Sequence, residues 1–143
     1  MDIRVLGYNG SQVLQCNAIS FLLNGKILLD TGTVTTSLAK EGQCNIDCVF
    51  VTRAHLDRDR VKDIMFLADN IFNLAKDSSR TVYETPLVRK ESKTHLFNRM
   101  IWPNFPVLPN RENLILKFMG INPGNKIRVD DMDVTAVRVG HGV

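Results

Sequence analysis

The sequence predicts a mixed α/β layer fold, with strands before, between and after helices. Three observations predict it. Two apolar runs, 18–23 and 26–29, flank Asn24-Gly25, and that dipeptide favours a two-residue hairpin because both turn positions need positive φ. Residues 48–52 read Cys-Val-Phe-Val-Thr, the pattern of a strand covered on both faces. Then Ile64, Leu67, Ala68, Ile71, Phe72 and Ala75 recur at three- and four-residue spacing, which places them on one stripe of a helix.

The other elements follow in order. Residues 3–7 form a β-prone run that ends in a turn at Asn9-Gly10. The second arm of the hairpin stops at Asp30-Thr31-Gly32, and the polar segment 33–45 has room for a short helix at 37–40. Asp57 or Asp59 suits the N-cap of the striped helix, and Asp77-Ser78-Ser79 ends it. A strand is expected at 81–83. Thr85-Pro86 opens a second helix, with Pro near its first position, running to about Arg99. The three prolines within 102–110 mark a loop. Strands are expected at 114–118, 126–129 and 134–139. Between the first two, Asn122-Pro123-Gly124-Asn125 suits a type II turn, with Pro second and Gly third.

The chain has 143 residues, which suits one domain across 1–143. Its 18 basic and 15 acidic residues leave a net charge of +3. That excess is too small to imply a nucleic-acid polymer or a membrane surface as partner, and no basic run supplies one. No apolar run approaches the roughly 20 residues needed to span a bilayer. Cys16, Cys44 and Cys48 are an odd set, as in a reduced chain. Cys44 and Cys48 lack a second pair to complete a zinc knuckle. The N-terminus shows no export signal, so the expected location is the cytoplasm.

The informative stretch is Val51-Thr52-Arg53-Ala54-His55-Leu56-Asp57-Arg58. It joins a buried strand to an amphipathic helix, a common place for sites in layered α/β folds. His55 and Asp57, two apart in a turn, can point into one cleft. This stretch resembles the Thr-His-x-His-x-Asp-His motif of metallo-β-lactamase-fold hydrolases. Thr52, His55 and Asp57 match it, while Arg53 and Arg58 stand where its first and last histidines fall. Asp30, in Leu-Leu-Asp-Thr-Gly, matches the family's earlier aspartate, which orders the metal loop without binding metal. His141, after Val-Arg-Val-Gly, matches the next ligand histidine. Asp63-Ile64, Phe66 to Asn70, His95 to Asn98 and Ile101-Trp102-Pro103 are similar to the class II cyclic-nucleotide phosphodiesterase branch.

The resemblance implies a partial αββα sandwich, an incomplete domain of mixed sheets with flanking helices. It implies zinc or manganese as cofactor, with His55 and His141 on a first metal and Asp57 on a second. Asp57 then carries the catalytic role, and a phosphodiester or nucleotide is the small-molecule substrate. Two metals about 3.5–4 Å apart activate water and clamp phosphoryl oxygens in such sites. Arg53 and Arg58 weaken this expectation. A guanidinium has no lone pair to give a metal and stays protonated. At an effective dielectric of about 20, unit charges about 4 Å apart interact by roughly 4 kcal/mol, here as repulsion. The family's later bridging aspartate and final histidine would lie beyond Val143.

Two functions stay open. One is a metal-dependent phosphodiesterase, catalytically impaired by these replacements. The other is a non-catalytic interaction module or phosphate-binding pseudoenzyme, with Arg53 and Arg58 as a bidentate anion site. Asp57 equally suits a helix cap, Asp30 a turn, and His95, Trp102 and Phe105 structural packing. A sheet face left without its partner layer implies a homodimer or a completing partner chain.

Overall fold

The Asn24-Gly25 turn adopts φ of 49° and 70°, and the Lys26 N–H donates to the Leu23 carbonyl at 3.0 Å. It joins β2 (Ser20–Leu23) to β3 (Ile27–Leu29), and β1 (Ile3–Gly7) pairs antiparallel on the far side of β2. From β3 onward the sheet runs parallel through β4 (Cys48–Val51), β5 (Arg80–Glu84) and β6 (Leu116–Gly120), in the order β1-β2-β3-β4-β5-β6. This computed structural model describes residues 1–10, 14, 16–53, 61, 63–75, 78–110 and 112–140.

Parallel neighbours require crossovers, because a tight turn can only reverse the chain. Two short helices, α1 (Val34–Ser37) and α2 (Lys40–Cys44), lie between β3 and β4. The helix α3 (Ile64–Leu74) lies between β4 and β5. Between β5 and β6 come α4 (Pro86–Glu91), a π turn at Ser92–Leu96 and a 3-10 turn at Phe105–Val107. A separate antiparallel hairpin, β7 (Lys126–Val129) with β8 (Met132–Thr135), forms the second sheet.

The period of two along each strand divides the side chains into two cores. On one face Leu22, Leu28, Val49, Val51, Val82 and Leu116 meet the buried stripe of α3, Ile64, Leu67, Ala68 and Ile71. Phe72 and Ala75 complete the predicted stripe as partly buried neighbours. On the other face Ile27, Cys48 and Phe50 meet the hairpin through Ile127, Val129, Met132 and Val134. Phe50 stacks on Tyr83 with centroids 4.7 Å apart. So β4 is apolar at every position because each face has its own layer.

Several expectations shift, for physical reasons. Residues 37–40 are a junction instead of a helix. Leu38 is extended between α1 and α2 and buried, so its packing breaks the helix there. The helix opened by Thr85-Pro86 begins as expected, with the Thr85 hydroxyl accepting the Val88 N–H at 3.3 Å. It does not run to Arg99. Its helical path ends in the π turn, which delivers Phe97 into the core against Phe105 and Phe118. Asp63 occupies the N-cap of α3, while Asp57 and Asp59 lie outside the described residues. The Asp63 carboxylate instead accepts the Thr35 N–H at 3.0 Å and the Thr35 hydroxyl at 2.7 Å, tying α3 to α1.

Leu114 makes an isolated bridge to Pro109, so β6 starts at Leu116 and not at 114. Asp130, at φ 52°, turns the hairpin early enough that β8 ends at Thr135. Val137 and Val139 keep the alternation but are exposed and find no partner strand among the described residues. The Asn122–Asn125 turn closes as expected, with Gly124 at φ 87° and Asn125 N–H donating to Asn122 C=O at 3.0 Å.

Candidate functional site

The parallel strands end side by side, with Val51 opposite Glu84 and Glu84 opposite Gly120. Asp30 follows β3 at this edge and lies beside β4. Its backbone is left-handed, at φ 57°, a conformation Asp tolerates better than most residues. Three bonds hold it there. Its N–H donates to the Phe50 carbonyl at 2.9 Å, the Ser20 hydroxyl donates to its own carbonyl at 2.9 Å, and its carboxylate takes the Thr52 N–H at 2.8 Å. The Thr52 hydroxyl adds a further bond to the same carboxylate at 2.8 Å.

Gly32 lets this loop lie against the chain. A Cβ there would stand 2.6 Å from the Ile19 carbonyl oxygen, too close for any side chain. Asp-Thr-Gly therefore does more than close a turn. It fixes the backbone at Thr52, where β4 passes into the segment bearing the motif. A buried carboxylate without such donors would carry a large desolvation cost.

Arg53 follows Thr52 and is half-buried. His55, Asp57, Arg58 and His141 lie outside the described residues, so of the expected site residues the structure places Asp30 and Arg53. Among the described residues no group of three His, Cys, Asp or Glu is disposed to hold a metal. The Asp30 carboxylate is engaged with Thr52, which fits an ordering part better than a ligand part.

One acid escaped the sequence reading. Glu84 ends β5 with 1% exposure and faces the helical layer, in phase with Val82. Its Oε2 accepts the Ser92 hydroxyl at 3.3 Å, and its Oε1 has no hydrogen-bond partner among the described residues. Burial pushes the carboxyl up from 4.5 to about 7, while the Ser92 hydrogen bond, Arg89 and Lys93 pull it down. Alternation along Arg80, Val82 and Glu84 was the available signal, but a strand read only over 81–83 leaves Glu84 outside it.

The cysteines are free, and burial pushes the Cys48 thiol up to about 12, which makes it a packing group and a poor ligand or nucleophile. His95 sits 3.1 Å from the Glu91 carboxylate on the outer face of its turn. Among the described residues no helix is long and apolar enough to cross a membrane.

No family model matches the sequence, and no curated protein matches it. Solved structures do match. Unliganded yeast PDE1 superposes with a TM-score of 0.73 at 15% identity, over 90% of this chain and 52% of that one. The metallo-beta-lactamase fold protein YhfI from Bacillus subtilis gives 0.68 at 15% identity, over 99% and 53%. A diphosphatase from the PhnP family gives 0.60 at 15% identity, over 93% and 54%. The chain spans about half the length of each of these chains. At such identities the likeness speaks for the fold, and it agrees with the mixed sheet, the helical layer and the second small sheet built above: this chain has a partial metallo-β-lactamase fold.

Proposed function

We propose that this chain derives from a metal-dependent phosphodiester hydrolase and is catalytically impaired as it stands. The observation that carries the reading is the Asp30–Thr52 clamp. A buried carboxylate grips the residue that opens the 52–58 stretch, and Arg53 follows at once where a histidine donor is expected from the resemblance. The Asp30–Thr52 contact would hold the start of a metal motif, and Arg53 beside it would repel a metal ion. Solved neighbours that include a diphosphatase and yeast PDE1 support the phosphoryl chemistry of the lineage.

His55, Asp57 and His141 are a donor set suited to one zinc or manganese ion. Such an ion, when bound, supplies an activated water and charge stabilisation at phosphorus. What the chain itself does is hold Thr52 and the start of the turn in place through Asp30. We place the protein in the cytoplasm on its three free thiols.

Metal analysis after incubation with zinc and with manganese, paired with hydrolysis of bis(p-nitrophenyl) phosphate, tests the reading. The expected result is less than about 0.1 metal per chain and no turnover, with Arg53→His/Arg58→His recovering metal but little activity. Stoichiometric metal with robust turnover in the unaltered chain would refute the impairment. No metal recovered by the double substitution would refute the lineage.

The second reading is an interaction module, favoured by one observation. Ile3, Val5 and Met119 lie on the hairpin side of the sheet by alternation, and each is at least 41% exposed. We infer that a second copy or a completing chain covers this face.

A further inference from the structure

A recess of about 280 Å³ lies between α4, the π turn that extends it, the 105–107 turn and the edge strand β6. Its lining includes neither Asp30 nor Arg53. Arg89, Lys93 and Phe97 recur every four residues, so one wall carries two cations and a ring. Asn104 and Lys117 border it from the loop and from β6. Phe97 and Phe118 meet edge to face at 5.7 Å and give it an aromatic side.

The lining contains three cationic residues and no acid. Among the described residues none of Arg89, Lys93 and Lys117 forms an ion pair within 4.0 Å. The buried Glu84 feels Arg89 and Lys93 but lies outside the lining, with one oxygen given to Ser92. Like charges gathered at one recess repel, and an anion placed among them turns that repulsion into attraction.

We propose that this recess binds a small phosphate monoester carrying a flat apolar ring. The phosphate sits on Arg89 and Lys93. Arg offers a planar fork to phosphate oxygens and Lys a compact charge. The ring lies against Phe97 and Phe118, and the Asn104 amide orients the polar end. The volume is near the lower end of small-molecule pockets, roughly 300 Å³, which suits a monoester of one ring.

Solvated helix cations and a Lys that guards a sheet edge would give a different result, weak binding indifferent to the ring. The test titrates the 15N-labelled chain with phenyl phosphate, inorganic phosphate and phenol. Phenyl phosphate should bind at least about tenfold more tightly than either fragment, moving the amides of Arg89, Phe97, Asn104 and Phe118. Lys93 is exposed, so Lys93→Glu should leave the fold intact and weaken phenyl phosphate roughly tenfold or more. Lys40→Glu, exposed on α2 and outside the lining, should leave the affinity unchanged. Equal affinity for phenyl phosphate and inorganic phosphate, indifference to Lys93→Glu, or shifts centred on Arg53 would each overturn the proposal.

Discussion

The two faces of the six-stranded sheet are finished to different degrees. On the helical face α3 buries four side chains completely, and the strands beneath it are closed. On the hairpin face β7 and β8 cover the centre through partly buried residues, and the flanks at Ile3, Val5 and Met119 stay open. The helical face holds the larger set of buried side chains, and it holds the buried acid Glu84 as well. The hairpin face is where more protein surface would fit. The same strands serve both, since alternation sends neighbouring side chains in opposite directions.

The contrast can be broken most directly by truncation. Leu67→Ala on the helical face should cost about 2–5 kcal/mol, because a fully enclosed site cannot collapse around the cavity. Val134→Ala on the hairpin should cost about 1 kcal/mol or less, because its side chain is already partly in water. Urea denaturation of both variants checks this, and equal losses would erase the distinction between the faces.

The next effect comes from Glu84. Its carboxyl is held near 7 in the folded chain against an ordinary 4.5. The folded state therefore binds the proton more tightly than the unfolded state does. That contribution is complete below about 4.5, fades as pH rises, and is gone above about 7. A shift of this size corresponds to about 3 kcal/mol. Glu84→Gln should flatten the stability profile between pH 5 and 7 relative to the parent, as read by denaturation across buffers. A parallel pair of profiles would show that the acid is not buried as described.

The smallest effect on stability should come from the open flank. Val5→Lys should change unfolding free energy by less than about 0.5 kcal/mol, as exposed substitutions do. Its effect on association should be larger. Light scattering at micromolar concentration should show an oligomer for the parent chain and a shift toward monomer for Val5→Lys. A monomeric parent would remove a second copy as the partner for this face.

Much of this architecture was legible in the chain. Asn24-Gly25 and Pro123-Gly124 announce their turns because few residues tolerate those φ values. The α3 stripe announces its helix because burial on one side imposes a 3.6-residue period. The apolar β4 announces a doubly covered strand. The site was less legible. Asp30 could be singled out through its resemblance to a family motif, but its grip on Thr52 joins residues 22 apart in sequence. Glu84 was missed because a single acid at a strand end looks like a surface group until helices close over it. The recess at Arg89 and Lys93 was invisible for a similar reason, since the i, i+4 spacing of two helix cations looks like a solvated face until Asn104 and Phe118 close in beside it.

Local chemistry alone settled where the backbone could turn, which stripe of α3 was apolar and which strand had to be central. These depend on φ preferences and on periodicity, which are properties of neighbours in sequence. Tertiary structure alone decided that Leu38 would interrupt a helix, that a π turn would carry Phe97 inward, that Asp63 would tie α3 to α1, and that Glu84 would lose its water. Each of those outcomes depends on what packs across space, and burial raises the energy of a charge or a void only once a distant segment has arrived.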